Sequence, residues 1–286
     1  MTRPRAVAQL LAQFGLQPRK RFGQNFLIDE HILNKIVRAA SLSPSDVVLE
    51  VGAGLGTLTA ALAARAGRVV AVELDRDLFS VLRFTVGRLP NVRLVRGDIL
   101  DLRLAELLPD DAPSYKAVAN LPYYITSPVL LKFLTATRPW ERLVFMVQRE
   151  VADRLTARPG TKAYGSLTVI LQFSAEATVV ARVPRTAFYP APEVDSTVVA
   201  LTPRPSPLPP GPERDVFFRV VRAAFGQRRK TLANALVGGG FPGSAVKAAL
   251  AEAGLDGGRR GETLSLDEFV TLSRCLSVQI LSPAGV

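Results

Sequence analysis

The chain has 286 residues, 48% of them apolar and 21% charged, a balance that suits a folded protein large enough for two domains. Lys and Arg number 36 against 25 Asp and Glu, a formal net charge of +11; such a surplus favours a polyanionic partner through phosphate contacts and counterion release. With a single cysteine, Cys275, and a single histidine, His31, an intrachain disulfide and a Cys/His zinc site are both excluded, and no metal is expected.

No strongly apolar helix face carries a Lys/Arg cluster, and no apolar run approaches the roughly 18 residues of a membrane span, so nucleic acid is expected before a membrane. The segment Met1–Arg21 holds Arg3, Arg5, Arg19, Lys20 and Arg21 and no acid. Gln9 and Gln13 interrupt its apolar stretch, which reads as a retained amphipathic helix in place of a targeting peptide. The expected compartment is reducing and cytoplasmic, and the expected state a monomer. His31 opens a helical pattern as a capping or surface residue, and Cys275 reads as a buried thiol, not a nucleophile.

From residue 32 to 148, short apolar runs alternate with helical stretches. Strands are predicted at Val47–Val51, Val69–Leu74, Val92–Val95, Ala117–Asn120 and Leu143–Val147, with helices at 57–65, 76–87, 102–108 and 127–136 between them. This is the pattern of an α/β Rossmann-like, mostly parallel sheet covered on both faces. Strand-rich sequence at 167–183 and 194–201 predicts an antiparallel hairpin at one edge. Six prolines between Pro203 and Pro212 predict an extended linker over 203–212. It separates a first domain, 1–202, from a small helical domain, 213–286, with helices at 213–236, 243–253 and 265–276.

Gly52-Ala53-Gly54-Leu55-Gly56 lies between a predicted strand and helix, where backbone must approach a ligand closely. A dinucleotide fingerprint would place its third glycine at Thr57; here it comes one residue early, which fits a cofactor without a pyrophosphate, such as S-adenosylmethionine. Glu73 ends the second strand, where a carboxylate takes ribose hydroxyls. Asp98 follows the third strand, where a carboxylate can accept from an adenine amino group or simply cap a turn.

After the fourth strand comes Asn120-Leu121-Pro122-Tyr123-Tyr124. An exocyclic adenine amine is a poor nucleophile because its lone pair is delocalised into the ring. The Asn120 side-chain carbonyl and a backbone carbonyl can both accept from it and favour a tetrahedral, reactive nitrogen. Pro122 restrains Leu121 and helps aim the backbone carbonyls, and Tyr123 offers a stacking face to an extruded base. The same five residues could also form a plain strand-to-loop turn.

With Phe22-Gly23-Gln24-Asn25-Phe26-Leu27, Glu50–Gly56, Phe188-Tyr189-Pro190-Ala191-Pro192-Glu193-Val194-Asp195-Ser196 and Phe225-Gly226-Gln227-Arg228-Arg229-Lys230-Thr231-Leu232 in this order, the sequence closely resembles the small-subunit (16S) ribosomal RNA adenine-N6,N6 dimethyltransferases. The resemblance runs from about Arg19 to about Leu236. It implies a methyltransferase domain plus a small helical domain, and S-adenosylmethionine contacts at Asn25, Leu27, Gly52, Gly54, Glu73, Asp98 and Asn120. It also implies that Phe188 stacks on the target adenine opposite Tyr123, although by its own sequence position Phe188 could equally be a core aromatic.

The implied substrate is two adjacent adenosines in a hairpin loop near the 3′ end of 16S rRNA, within immature 30S subunits. Arg19, Lys20 and Arg21, with Arg222, Arg228, Arg229 and Lys230, read as an RNA-tracking surface. Two rival readings are a large-subunit rRNA adenine methyltransferase of the macrolide-resistance type and a non-catalytic RNA-binding assembly factor on the same fold. The complete set Gly52, Glu73, Asp98 and Asn120 speaks against lost cofactor binding.

Overall fold

The structure, a computed structural model, describes residues 3–19, 23–136, 139–227 and 229–281. Two compact units are formed, the first from Met1–Ala152 and Glu176–Pro203, the second from Asp153–Ala175 and Arg204–Val286.

In the first unit the elements run α1 (Pro4–Gln13), β1 (Phe26–Leu27), α2 (Glu30–Ala39), β2 (Val47–Val51), α3 (Thr57–Ala63), β3 (Arg68–Glu73), α4 (Arg76–Val86), β4 (Val92–Arg96), α5 (Leu104–Leu107), β5 (Tyr115–Asn120), α6 (Thr126–Thr135) and β6 (Trp140–Gln148). A helix, α7 (Arg149–Leu155), and a further helix, α8 (Ser166–Ser174), precede β7 (Ala175–Val183), β8 (Phe188–Tyr189) and β9 (Ser196–Pro203). The main sheet has the order β4-β3-β2-β5-β6-β9-β7, while β1 and β8 form a separate antiparallel ribbon.

Strands β2, β3, β4, β5 and β6 pair in parallel, and β9 runs antiparallel to β6. The continuous apolar runs of β2 and β5 follow from burial on both faces. Lys116 is the exception in β5. Its buried ammonium is held by the Ser41 carbonyl at 2.7 Å, Asp46 at 2.9 Å and Glu141 at 3.1 Å, which compensates its desolvation. From β2 the chain steps outward through β3 to β4, then returns to lay β5 on the other side of β2. That reversal opens a crevice at the carboxyl ends of β2 and β5. Helix α1 packs Val7 and Leu11 against Leu55, Leu78 and Val81, on the side of the glycine loop.

The second unit contains α8 with α9 (Pro212–Gly226), α10 (Leu232–Gly238), α11 (Gly243–Glu252) and α12 (Leu266–Leu281). Here several expectations are corrected. Residues 166–174 form a helix where a strand was predicted: Thr168, Val169, Ile170, Leu171 and Phe173 are all buried, and Phe173 stacks on Phe217 of α9 at 4.1 Å between ring centroids. Packing overrides the β propensity of this apolar run.

The predicted helix 213–236 is two helices, so Arg229 and Lys230 lie in the turn between α9 and α10. The proline-rich stretch is no free linker. Leu208 is fully buried, the Arg204 amide donates to the Ser174 carbonyl, and Arg274 donates to the Pro207 carbonyl. The first boundary is also not linear, because residues 153–175 belong to the helical unit. His31 is exposed in the first turn of α2, and the cap is Asp29, which accepts from the Ile32 amide. Cys275 is buried. No helix among the described residues is long and apolar enough to cross a membrane, and no cluster of His, Cys, Asp and Glu among them could hold a metal ion.

Candidate active site

The carboxyl ends of β2, β3, β4 and β5 deliver their loops to one cleft. It is lined by Asn25, Leu27, Gly52, Gly54, Glu73, Asp98, Asn120, Leu121, Pro122 and Tyr123, and also by Glu50. The expected cofactor residues and the Asn120 motif are therefore together. Phe188 is not among the lining residues: only 3% exposed, it packs in the core with Leu27 and Leu33. In this arrangement it occupies the core position that its sequence also allowed. Leu27 pairs with Phe188 and Phe26 with Tyr189 across the β1–β8 ribbon.

Gly52 and Gly54 have φ of +71° and +57°, a backbone that side chains rarely adopt. A Cβ on Gly52 would lie 3.5 Å from the Pro122 ring, so the glycine loop and the Asn120 loop are in close apposition. Glu73, 7% exposed, ties this loop to the next. Its Oε2 accepts from the Gly54 amide at 2.8 Å and its Oε1 from the Asp75 amide at 2.9 Å. Burial raises the Glu73 carboxyl above its ordinary range, against the opposing pull of these two amides. Asp98 is half-buried and closes its own turn, Oδ1 accepting from the Leu100 amide at 2.8 Å.

Asn120 donates from Nδ2 to the Asn25 carbonyl at 3.2 Å, and Asn25 donates in turn to the Gly23 carbonyl at 3.1 Å. One N–H of its amide is thereby engaged, and Oδ1 is the side chain's only acceptor. The Leu121 amide donates to Met146, and the Pro122 carbonyl accepts from Ile125 and Thr126. The Tyr123 hydroxyl shares a 2.7 Å hydrogen bond with Ser196, and burial raises its pKa, helped by the charge of Asp195.

Glu50 was missed as a site residue, although an acid inside Val-Val-Leu-Glu-Val was a signal. It is 1% exposed, its Oε2 has no hydrogen-bond partner, and burial pushes its carboxyl up to about 8, with the Glu73 charge adding to the effect. The Thr59 hydroxyl offsets part of this without meeting hydrogen-bond geometry. In the folded chain Glu50 keeps its proton up to about pH 8, whereas unfolded it loses it near 4.5. Folding therefore loses stability as pH rises through that window, by on the order of a few kcal/mol. Glu50→Gln should raise the Tm of the ligand-free chain by several degrees more at pH 8 than at pH 5. An equal gain at both values would show that Glu50 is not held neutral.

A buried carboxyl oxygen without a partner, glycines that leave the cleft floor bare and the acids Glu73 and Asp98 fit a cationic nucleoside such as S-adenosylmethionine. Of the expected RNA contacts, Arg19 is engaged by Asp75 and Asp77. Arg222, Arg229 and Lys230 are exposed on the second unit. Lys20, Arg21 and Arg228 lie outside the described residues.

The family model for ribosomal RNA adenine dimethylases matches residues 15–277. The chain belongs to this family. It is 52% identical over 280 residues to ribosomal RNA small subunit methyltransferase A of Moorella thermoacetica, covering 96% of this chain and 97% of that one. It is 51% identical to the protein of the same name from Pelotomaculum thermopropionicum, over 94% and 95% of the two chains. Among solved structures, a dimethyladenosine transferase from Plasmodium falciparum superposes with a TM-score of 0.72 at 28% identity, over 86% of this chain and 95% of that one. The 23S rRNA methyltransferase ErmE gives 0.66 at 31%, over 88% and 100%. The full-length likeness to the small-subunit enzymes outweighs that to ErmE, and the large-subunit reading is not favoured. The protein is thus an rRNA adenine dimethyltransferase with a Rossmann-like domain, and its cofactor is S-adenosylmethionine.

Proposed function

We propose that this enzyme dimethylates N6 of two adjacent adenosines in a hairpin loop near the 3′ end of 16S rRNA, acting as a cytoplasmic monomer on immature 30S subunits. The observation that carries the reading is the hydrogen bond from the Asn120 amide nitrogen to the Asn25 carbonyl within the cofactor cleft, which fixes the side chain and leaves Oδ1 as its acceptor for an amine. The names of the 52% and 51% identical relatives support the small subunit as substrate.

S-adenosylmethionine supplies an electrophilic methyl group on a sulfonium. The chain's own part is to accept from the target amine with Asn120 Oδ1 and the Leu121 carbonyl, which restores lone-pair density to N6 as the N–C bond forms. No strong base is needed, because the amine becomes acidic only after methylation and its proton then leaves to solvent. Tyr123, hydrogen-bonded to Ser196, supplies a held stacking face, an interaction worth about 1–3 kcal/mol per base. Phe188, buried in the core and paired with Leu27 across the β1–β8 ribbon, would form a second wall opposite Tyr123 only by turning out of that core. Glu73 holds the cofactor's ribose, and Asp98 accepts from its adenine amine. Asn25, Leu27, Gly52 and Gly54 complete that pocket. Arg222, Arg229 and Lys230, with Lys20, Arg21 and Arg228, track phosphates, while Arg19 serves chiefly to anchor the segment before β1.

The test is a substrate panel. With labelled S-adenosylmethionine, unmethylated small subunits should take up label, and large subunits should not. Label confined to large subunits would overturn the reading.

A further inference from the structure

Lys132 lies on α6, the helix that leaves the Asn120 motif, and sequence patterning marks it only as a helical lysine. In the structure its half-buried ammonium donates to two main-chain carbonyls of the loop after β4, Leu100 at 2.8 Å and Leu102 at 2.7 Å. That loop carries Asp98 and has no regular secondary structure to hold it. Its bonds are short-range: the Asp101 and Leu102 amides donate to the Asp98 carbonyl and the Leu100 amide to Asp98 Oδ1, while the Gly97 amide ties its start to the Glu73 carbonyl of β3. The start of α6 is fixed as well, since Thr126 Oγ1 donates to the Pro122 carbonyl at 3.2 Å. One helix therefore grips the exit of the Asn120 motif at its first residue and the Asp98 loop further along.

We infer that Lys132 is a positioning residue for cofactor recognition, setting the Asp98 carboxylate against the adenine amine and tying that subsite to the Asn120 motif. The inference rests on the reading of Asp98 as the acceptor of that amine. Its physical basis is that a charged donor on two carbonyls fixes the turn where main-chain bonds alone leave it free to shift, and a carboxylate out of place cannot discriminate an amino group from an oxygen.

The test uses the full chain and calorimetric binding of S-adenosylhomocysteine and of its hypoxanthine analogue, in which the 6-amino group is replaced by a carbonyl. Lys132→Met should weaken S-adenosylhomocysteine about tenfold, the loss of roughly one charge-assisted hydrogen bond, and leave the analogue within about twofold. The preference for adenine should narrow accordingly, and Lys132→Arg should recover most of it. Equal weakening of both ligands, or of neither, would overturn the proposal. Should Lys132→Met fail to fold, Lys132→Gln, which retains a donor, should show the same narrowing in smaller measure, and an unchanged preference there would overturn it equally. Asp98→Ala run in parallel separates the two claims. If it leaves the adenine preference intact, the reading of Asp98 falls; if it abolishes the preference while Lys132→Met does not alter it, only the role of Lys132 falls.

Discussion

Asn120→Ala should lower kcat by about 10²–10³ while the dissociation constant for S-adenosylhomocysteine stays within a few-fold, comparable to removing one preorganised polar group from a transition state. The reason is directional. One N–H of Asn120 Nδ2 goes to the Asn25 carbonyl at 3.2 Å and orients the side chain, and only Oδ1 can accept from the target amine. That oxygen gains most when the amine nitrogen becomes tetrahedral and its hydrogens more positive, which happens on the way to the transition state and not in the bound ground state. Asn120→Asp makes the converse point. It keeps an acceptor but cannot donate to Asn25, so it should also lose kcat through misorientation. Steady-state kinetics with saturating small subunits, paired with calorimetry, check both. A variant that loses cofactor affinity in proportion to kcat would show that Asn120 acts mainly as a cofactor ligand.

Glu73→Ala should weaken cofactor binding by about 10²-fold or more, on the scale of a lost charge-assisted interaction together with disorder in the loops it ties. Glu73 is more than a ribose ligand in waiting. Its two oxygens already accept from Gly54 at 2.8 Å and Asp75 at 2.9 Å, so its removal unfastens the glycine loop from the N-terminus of α4 and leaves two amide donors without their acceptor. Glu73→Gln keeps one acceptor and should fall between the wild type and alanine. Because the effect resides in binding, kcat at saturating cofactor should change far less than Kd. A thermal melt of the ligand-free variants distinguishes the parts. Glu73→Ala should lower Tm through the lost amide bonds, partly compensated by removal of a buried charge.

The sheet and the cofactor cleft were legible because their signals are local. Continuous apolar runs gave β2, β3 and β5, and Gly52, Glu73, Asp98 and Asn120 sit at strand ends, where parallel pairing must bring them to one edge. What escaped depends on tertiary partners. Residues 166–174 read as strand by composition and become helix because Phe173 stacks on Phe217, a residue more than forty positions away. Arg19 read as part of an RNA-tracking surface, and only the fold supplies Asp75 and Asp77 to engage it. Lys132 carries no sequence signal, since its partners are main-chain carbonyls of another loop. Glu50 could have been found, because an acid within an apolar strand must be neutral, paired or functional. Phe188 carries two readings that its sequence position leaves open, a core aromatic and a stacking wall, and the arrangement of this chain places it beside Leu27.

The most direct test of the whole account is nucleoside analysis of small-subunit rRNA after incubation with this enzyme and labelled S-adenosylmethionine. The account predicts label in N6,N6-dimethyladenosine, confined to two adjacent positions in the 3′-terminal hairpin loop of the 16S rRNA and absent with Asn120→Ala. Label in any other base, or in adenosines elsewhere in the RNA, would contradict it.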